Sequence, residues 1–243
     1  MGDHPLRRIC AIREQEGAPD WRRTMFPDLI TDDAFRLETR RLWLRWPRVA
    51  DAAAIAKYAG VEAVSRYTAN LPHPYRTADA EAFILSCRAN NHAGKQVGLA
   101  ITRKAKPGET IGMVGLHSVS DGGLTIGYWL GEPFWGQGFM GEAVDEMLAL
   151  GFIATQAPHF RTIVRDGNLA SQRLLESRGF ECVETLQVNM PARGGIFPCG
   201  KYVLDRSDWE LRQQERFRAR RSASRSRKTG SNVRNGGEPC LCA

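Results

Sequence analysis

From Leu37 onward the spacing of apolar residues changes several times, and each change marks an element. Leu42, Leu44 and Trp46 fall on one side of a two-residue alternation, so Leu37 to Trp46 reads as a first strand, ended by Pro47. The alanine-rich run Asp51 to Ala59 suits a helix, and Val61 to Thr68 a second, short one. Two prolines in Leu71-Pro72-His73-Pro74-Tyr75 make a rigid turn. Thr77 can then cap a helix running to about Asn90, with Asp79 and Glu81 in its first turn. Gln96 to Arg103 and Thr110 to Ser118 read as strands joined through Lys106-Pro107-Gly108-Glu109, and Asp121-Gly122-Gly123 turns the chain into the next strand.

That strand, Leu124 to Leu130, is apolar, aromatic and β-branched, and Gly131, Pro133, Gly136 and Gly138 stop it. From Phe139 the period changes. Met140, Ala143, Val144, Met147, Leu150 and Gly151 recur at helical spacing in a helix from Gly138 to Ala154. A strand, a glycine-rich turn and a helix in succession leave the first helical amides unpaired, with the positive end of the dipole behind them. Such a place suits an anion, most economically a phosphate. Arg161 to Arg165 is a further strand, and Asn168-Leu169-Ala170-Ser171 opens a helix that ends at Gly179. Cys182 to Met190 and Lys201 to Leu204 are the last strands, split by Arg193-Gly194-Gly195, and Ser207-Asp208-Trp209-Glu210 is a capping box for a terminal helix. The order is mixed α/β, and strand followed by helix on both sides of the glycine turn implies some parallel pairing.

The turn Trp135-Gly136-Gln137-Gly138-Phe139-Met140 lacks the Lys-Ser/Thr ending of a Walker loop and the third glycine of a dinucleotide turn. It resembles the acyl-CoA loop of the GCN5-related (GNAT) N-acetyltransferase family, Gln/Arg-x-x-Gly-x-Gly/Ala. The wider run Gly-Tyr-Trp-Leu…Phe-Trp-Gly-Gln-Gly-x-x-x-Glu-Ala is similar to the RimJ/RimL branch of that family, which acetylates protein N-termini. Trp135 stands where the general family has Gln or Arg, and Met140 where a small residue is usual. A second segment, Asn168-Leu169-Ala170-Ser171…Leu174-Leu175-Glu176-Ser177-Arg178-Gly179-Phe180, resembles the family's Asn-x-x-Ser…Leu-x-x-x-Gly-Phe and follows in the expected order. Together the likeness runs from about Phe35 to Trp209.

The resemblance implies a domain over residues 31–210: a central mixed, mostly antiparallel sheet, with a parallel splayed pair at the acetyl-CoA site and flanking helices. It makes the helices after Pro47 the lining of an acceptor groove. The backbone of Tyr128, Trp129 and Leu130 is expected to pair with the pantetheine arm of acetyl-CoA, with Leu130 N–H a candidate oxyanion donor. Trp135, Gly136, Gln137, Gly138, Phe139, Met140 and Gly141 would form the pyrophosphate loop. Asn168 would bond the pantetheine, and Ser171 would protonate the leaving thiolate. From the residues alone, Asn168 reads equally as a helix N-cap, Ser171 as an ordinary first-turn polar residue, and Tyr128 as core packing.

Acetyl transfer needs a neutral amine, stabilisation of the charge that gathers on the thioester oxygen, and a proton for the sulfur. Neither a metal nor a covalent enzyme intermediate is required. His117, at a strand end next to the central strand, is a candidate for the base, although a lone histidine there is more often structural, and Glu132 and Glu184 are equally weak candidates. Glu142 reads as a first-turn acid that complements the helix dipole, and His73 as an acceptor-side residue that either touches substrate or is merely exposed.

The hydrophobic fraction of 42% and charged fraction of 25% are those of an ordinary globular protein, so one sizeable core is expected within 243 residues. No apolar run approaches the roughly 18 residues that span a bilayer, so a cytoplasmic protein without membrane contact is expected. Residues 1–30 lack periodicity and are expected to be a disordered leader, with Met25 an alternative start. The six cysteines show no paired spacing and read as free thiols rather than metal ligands. The net charge of +7 resides mainly in the tail, where residues 206–243 carry ten Arg and Lys against four Asp and Glu. Residues 211–243 are expected to begin helical and to be disordered from Ser222.

Two acceptors are open: a protein or peptide N-terminal amine, or a small molecule such as an aminoglycoside, polyamine or amino acid derivative. An acidic groove would favour the second. A reading of another class is a ribosome- or RNA-binding protein on an acetyltransferase scaffold, with Arg216 to Lys228 contacting phosphate. Monomer and homodimer are both compatible with the sequence.

Overall fold

In the computed structural model, which describes Phe26 and residues 32–230, the alternation from Leu37 to Trp46 folds back on itself. Strand β1, Arg36–Glu38, and strand β2, Leu42–Arg45, pair antiparallel with Leu37 opposite Leu44, where one continuous strand is expected from the sequence. Between them Thr39 closes the turn, its amide donating to Leu42 O at 3.0 Å and its hydroxyl accepting the Leu42 amide at 2.9 Å, and a distant carboxylate fastens it. Glu142 Oε1 accepts from Thr39 Oγ1 at 2.5 Å and from the Arg41 amide at 2.6 Å, while Oε2 accepts from Arg41 Nε at 2.7 Å. Burial pushes the Glu142 carboxyl up, but the hydrogen bonds from Thr39 and Arg41, with the Arg41 charge, hold it below its ordinary value.

Helix α1, Ala52–Ala59, follows a short 3-10 turn in which the buried Asp51 carboxylate accepts both Arg45 Nη1 and Nη2 at 2.8 Å. Helix α2 covers only Glu62–Ser65, shorter than its expected span. Helix α3, Thr77–His92, is capped by Asp79, which accepts the Arg76 amide at 2.8 Å, and not by Thr77. Strands β3, Gln96–Arg103, and β4, Lys106–Ser118, turn at residues 104–105. Lys106 to Glu109 therefore belong to β4, where two register shifts let the extra residues bulge out of the ladder. Then come β5, Leu124–Leu130; helix α4, Phe139–Ala154; β6, His159–Arg165; helix α5, Leu169–Glu176; β7, Glu181–Met190; and β8, Gly195–Asp205.

The eight strands form one sheet in the order β1-β2-β3-β4-β5-β6-β8-β7, antiparallel except for β5 and β6. That parallel pair meets only at Leu124–Phe160 and Thr125–Arg161 and then parts, as the expected splayed pair does. On one face α1 and α3 build a core of Ala52, Ile55, Ala59, Ile84, Cys87, Ala100 and Met113, with Trp129 against it. On the other, α4 buries Ala143, Val144, Met147, Leu148, Leu150 and Phe152, and the Phe152 ring meets Phe160 edge-on at 4.7 Å. At roughly 1.5–3 kcal/mol for each large apolar side chain taken from water, this stripe is what holds α4, and with it the glycine turn at its N-terminus.

The chain divides into two units, the α/β body to Arg206 and the terminal helix from Ser207. Helix α6, Arg206–Gly230, starts one residue before Ser207 and continues through the arginine-rich stretch and past Ser222. Apart from Phe26, the leader expected over residues 1–30 lies outside the described residues, as does the tail beyond Gly230. No helix among the described residues is long and apolar enough to cross a membrane.

Replacing Glu142 by Gln should cost about 2 kcal/mol, the worth of charge-assisted hydrogen bonds, and lower the urea midpoint at unchanged slope. Because the folded carboxyl titrates below its ordinary 4.5, its contribution is complete above 4.5 and disappears as pH falls through the folded value. The stability gap between E142Q and the parent should accordingly close in acid, measured by urea unfolding across a pH series.

Candidate active site

The Gly131 amide donates to Ile111 O on β4 at 2.8 Å, so by strand alternation the N–H and C=O of Leu130, Tyr128 and Ile126 point the other way, toward the edge that β6 leaves. Side chains occupy both ends of that edge. Thr162 Oγ1 donates to Ile126 O at 2.8 Å, and Trp135 Nε1 donates to Leu130 O at 2.7 Å. Tyr128 N–H and C=O and Leu130 N–H lie between them, where an extended ligand could add as a strand. Trp135, the departure from Gln or Arg, thus fastens the turn to the strand it follows.

Beyond Leu130 the turn uses two positive φ angles, +70° at Gly136 and +75° at Gly138, which glycine adopts without steric cost. Gly138 is the N-cap of α4 and contributes no side chain, so the first helical amides stay open to an anion. Met140 turns its side chain into the core and leaves its backbone to the turn. Gln137 does not line the cavity: its side chain folds back to donate to Pro133 O at 3.0 Å, and only its backbone belongs to the site.

Sequence reasoning missed two cations at this turn. Arg41 donates through Nη1 to Gln137 O at 2.9 Å, stacks 4.5 Å over the Phe139 ring, and puts Nη2 3.4 Å from where a Gly138 Cβ would stand. Arg178 crosses Gly141, where a Cβ would collide with it, and pairs with Asp145 at 3.0 Å. Both residues were in view, Arg41 inside an expected strand and Arg178 inside the second resemblance segment, but neither position signals where its side chain goes.

On the far side of the gap Asn168 caps α5 by accepting the Ser171 amide at 3.3 Å. Ser171 Oγ lies 2.8 Å from the Tyr128 hydroxyl. Burial pushes the Tyr128 phenol up to about 12, so it is protonated at any working pH. These groups border a cavity of about 1070 Å³ that runs from the glycine turn along the open edge of β5 to α2, α3 and the loop between them. Of the expected site residues, His117, Tyr128, Trp129, Leu130, Trp135, Gly136, Gly138, Phe139, Met140, Gly141, Asn168 and Ser171 all line it. Glu132, Glu184 and His73 do not; Glu184 faces Lys201 on the exposed β7–β8 hairpin at 3.5 Å. His117 opens into the cavity, and the protein around it lowers its pKa below the usual 6.5 by desolvation. A strap of residues 65–71 crosses the cavity. Tyr67 Oη donates to Gly167 O at 3.2 Å, Arg165 donates to Arg66 O at 2.6 Å, and Arg193 donates to Leu71 O.

Residues 41–181 match the model of the acetyltransferase (GNAT) domain. The chain belongs to the GNAT family. It is therefore an acetyl-CoA-dependent acyltransferase, and the open strand edge and glycine turn fit the arm and pyrophosphate of that co-substrate. Over 170 residues it is 29% identical to the N-acetyltransferase p20 of Bacillus licheniformis, an alignment covering 69% of this chain and 94% of that one. Among solved structures it is similar to Mycobacterium smegmatis RimJ in complex with CoA-disulfide, with a TM-score of 0.63 at 20% identity over 71% of this chain and 88% of that one. It also matches RimL, a ribosomal L7/L12 α-N-protein acetyltransferase solved with coenzyme A, with a TM-score of 0.63 at 17% identity over 72% and 99% of the two chains. At such identities these two likenesses establish the GNAT fold. Among the described residues no group of three His, Cys, Asp or Glu is placed to hold a metal.

A Gly138→Glu variant would place a carboxylate at the open helix N-terminus that suits a pyrophosphate, in a backbone conformation that L residues resist. Isothermal titration with acetyl-CoA should show micromolar binding by the parent and a loss of at least about 100-fold in the variant, with far-UV circular dichroism confirming that both fold.

Proposed function

We propose that this GNAT enzyme acetylates the N-terminal α-amine of a protein or peptide. The observation that carries the reading is the make-up of the acceptor side. Asp79 is the one carboxylate among the described lining residues, and it accepts the Arg76 amide, whereas Tyr67, Tyr75, Phe83 and Trp129 supply aromatic surface. A polyamine or aminoglycoside would bring several cations to a wall with almost nothing to pair them. A peptide N-terminus brings one amine, which must be neutral to react, and a backbone that can follow the wall. The likeness to RimJ and RimL supports the same reading.

Each step has a group in reach. The outward groups of Leu130 and Tyr128 hold the pantetheine arm by adding it to the edge of β5; Leu130 N–H lies beside the pyrophosphate turn, and Tyr128 N–H, farther along the edge and next to Gly127, is the donor assigned to the charge that gathers on the thioester oxygen. The amides from Gly136 to Gly141 receive the pyrophosphate, with Arg41 beside them. His117, its cation disfavoured by desolvation, is neutral at pH 7 and takes the proton of the attacking amine. When Tyr128 donates to Ser171, the Ser171 O–H is left to turn toward the sulfur and supply its proton. Asn168 fixes Ser171 through its cap and keeps its side-chain N–H groups for a pantetheine carbonyl.

His117→Gln should lower kcat/KM by about 100-fold or more, within the usual range for a general base. The parent's rate should rise with pH through an inflection below 6.5 as His117 gives up its proton, and that inflection should be missing from H117Q. Ser171→Ala should reduce kcat by about 10-fold or more and leave the acetyl-CoA Kd near the parent's, since it removes a proton donor and no anchoring group. The direct check is incubation with a peptide array, with mass spectrometry locating the acetyl group. Acetylation confined to small polycationic amines would overturn the protein-acceptor reading.

A further inference from the structure

Three glycines stand in register across the middle of the sheet: Gly98 on β3 opposes Gly115 on β4, which opposes Gly127 on β5. By strand alternation all three would present a Cβ to the α1–α3 face, the face on which Met113 and Trp129 lie two residues away. Gly98 is covered there, since a Cβ would collide with Cys87 Sγ and stand 3.1 Å from Gln96 Nε2. The other two are bare. Over Gly115 the nearest atoms are His117 Nε2 and Val97 O at 3.6 Å, and over Gly127 nothing lies within 4 Å. Two adjacent strands thus leave a floor of naked backbone, closed at β3 by Cys87 and Gln96 and open at the edge of β5 where the reacting amides point.

The register also assigns the walls. His117 pairs with Thr125 and Gln96 on one side of the glycine row, and Met113 pairs with Trp129 on the other. Helix α3 presents Asp79, Phe83 and Cys87 one turn apart, and all three line the cavity, Phe83 partly exposed into it. The trough therefore has an apolar side of Met113 and Trp129, a polar side of Gln96 and His117, Phe83 of α3 lining the same cavity, a blind end, and a mouth beside the imidazole.

We propose that this trough seats the side chain next to the acetylated amine, and that it selects acceptors whose first residue is large and uncharged, Phe, Leu or Met, over Gly, Ser or Lys. The proposal rests on the protein N-terminal reading above and adds its specificity. A small first residue leaves the floor uncovered, whereas an apolar one covers the two glycines and packs on Met113, Trp129 and Phe83. A lysine side chain would bring a cation to a blind end that offers it an amide and a thiol. The amine of a side chain so seated comes out at the β5 edge, one strand from His117.

Neither glycine has a positive φ, and a Cβ at either would meet nothing closer than 3.6 Å, so filling the floor should not unfold the protein. Peptides identical but for a first Phe, Leu, Met, Gly, Ser or Lys would be compared on the parent, Gly115→Ala and Gly127→Val, with acetyl-CoA affinity measured alongside. The parent should favour the bulky apolar residues by about 10–100-fold in kcat/KM. G127V, and less strongly G115A, should cancel that preference by slowing the bulky peptides alone, with rates on Gly and Ser peptides and the acetyl-CoA Kd unchanged. Equal rates on all first residues in the parent, or an equal loss on all of them in the variants, would overturn the trough. If no peptide is acetylated, the N-terminal reading fails, and phenylethylamine against ethylamine then judges the trough separately. A preference for the aryl amine that G127V removes supports it, and no preference overturns it.

Discussion

The site exists because two parallel strands stop pairing after two residues. A buried strand edge with unpaired N–H and C=O groups is costly, so a fold that opens one inside a cavity must offer it a partner. The opening has identifiable causes. Strand β6 follows its antiparallel neighbour β8 from His159 to Arg165, and that seven-pair ladder draws it away from β5. At the point of parting Thr162 Oγ1 takes the Ile126 carbonyl in place of a backbone amide, so the divergence costs no hydrogen bond there. Tyr128 and Ser171 meet farther along and keep the gap bridged on the α5 side. What remains open is the length of edge that a pantetheine arm can add to as a strand.

The same opening ties fold stability to ligand binding through the glycine turn. The turn is held from behind by the buried stripe of α4, from above by Trp135 on Leu130 O, and from the side by Arg41 on Gln137 O. Arg41 is itself held by Glu142, one turn into α4, so the β1–β2 hairpin and the glycine turn share one carboxylate. A glycine turn free to flex would have to be ordered by its ligand at an entropic cost; this one is already ordered.

Legibility in the sequence followed the range of the interaction responsible. Leu124–Leu130 and the helix after the glycines could be read almost residue for residue, because positive φ, strand alternation and helical period are local. Most of the residues that the resemblance named line one cavity with them, since a resemblance in two ordered segments carries a turn and its helix together. The β1–β2 turn could not be read, because the Thr39–Leu42 bonds that close it are reinforced by a carboxylate 101 residues away, which holds the Thr39 hydroxyl and the Arg41 amide. Lys106 to Glu109 looked like a hairpin on account of Pro107 and Gly108, yet the chain reverses just before them and the two residues sit in a bulge. The glycine row was hidden for a different reason. Gly98, Gly115 and Gly127 are three unremarkable strand glycines until strand register sets them side by side.

Asn168 shows why a structural and a functional reading of one residue need not compete. Its Oδ1 is committed to the Ser171 amide, which is the plain N-cap that the residue type suggests. That bond also fixes the first turn of α5, and with it the direction of the Ser171 hydroxyl toward Tyr128 at 2.8 Å. The cap therefore sets the hydroxyl to which the proton-donor role is proposed, and it leaves the Asn168 amide nitrogen uncommitted to the cap. Removing the Asn168 side chain would disturb Ser171 and the proposed pantetheine contact at once, so the two contributions separate only when the Ser171 and Asn168 substitutions are combined in a cycle.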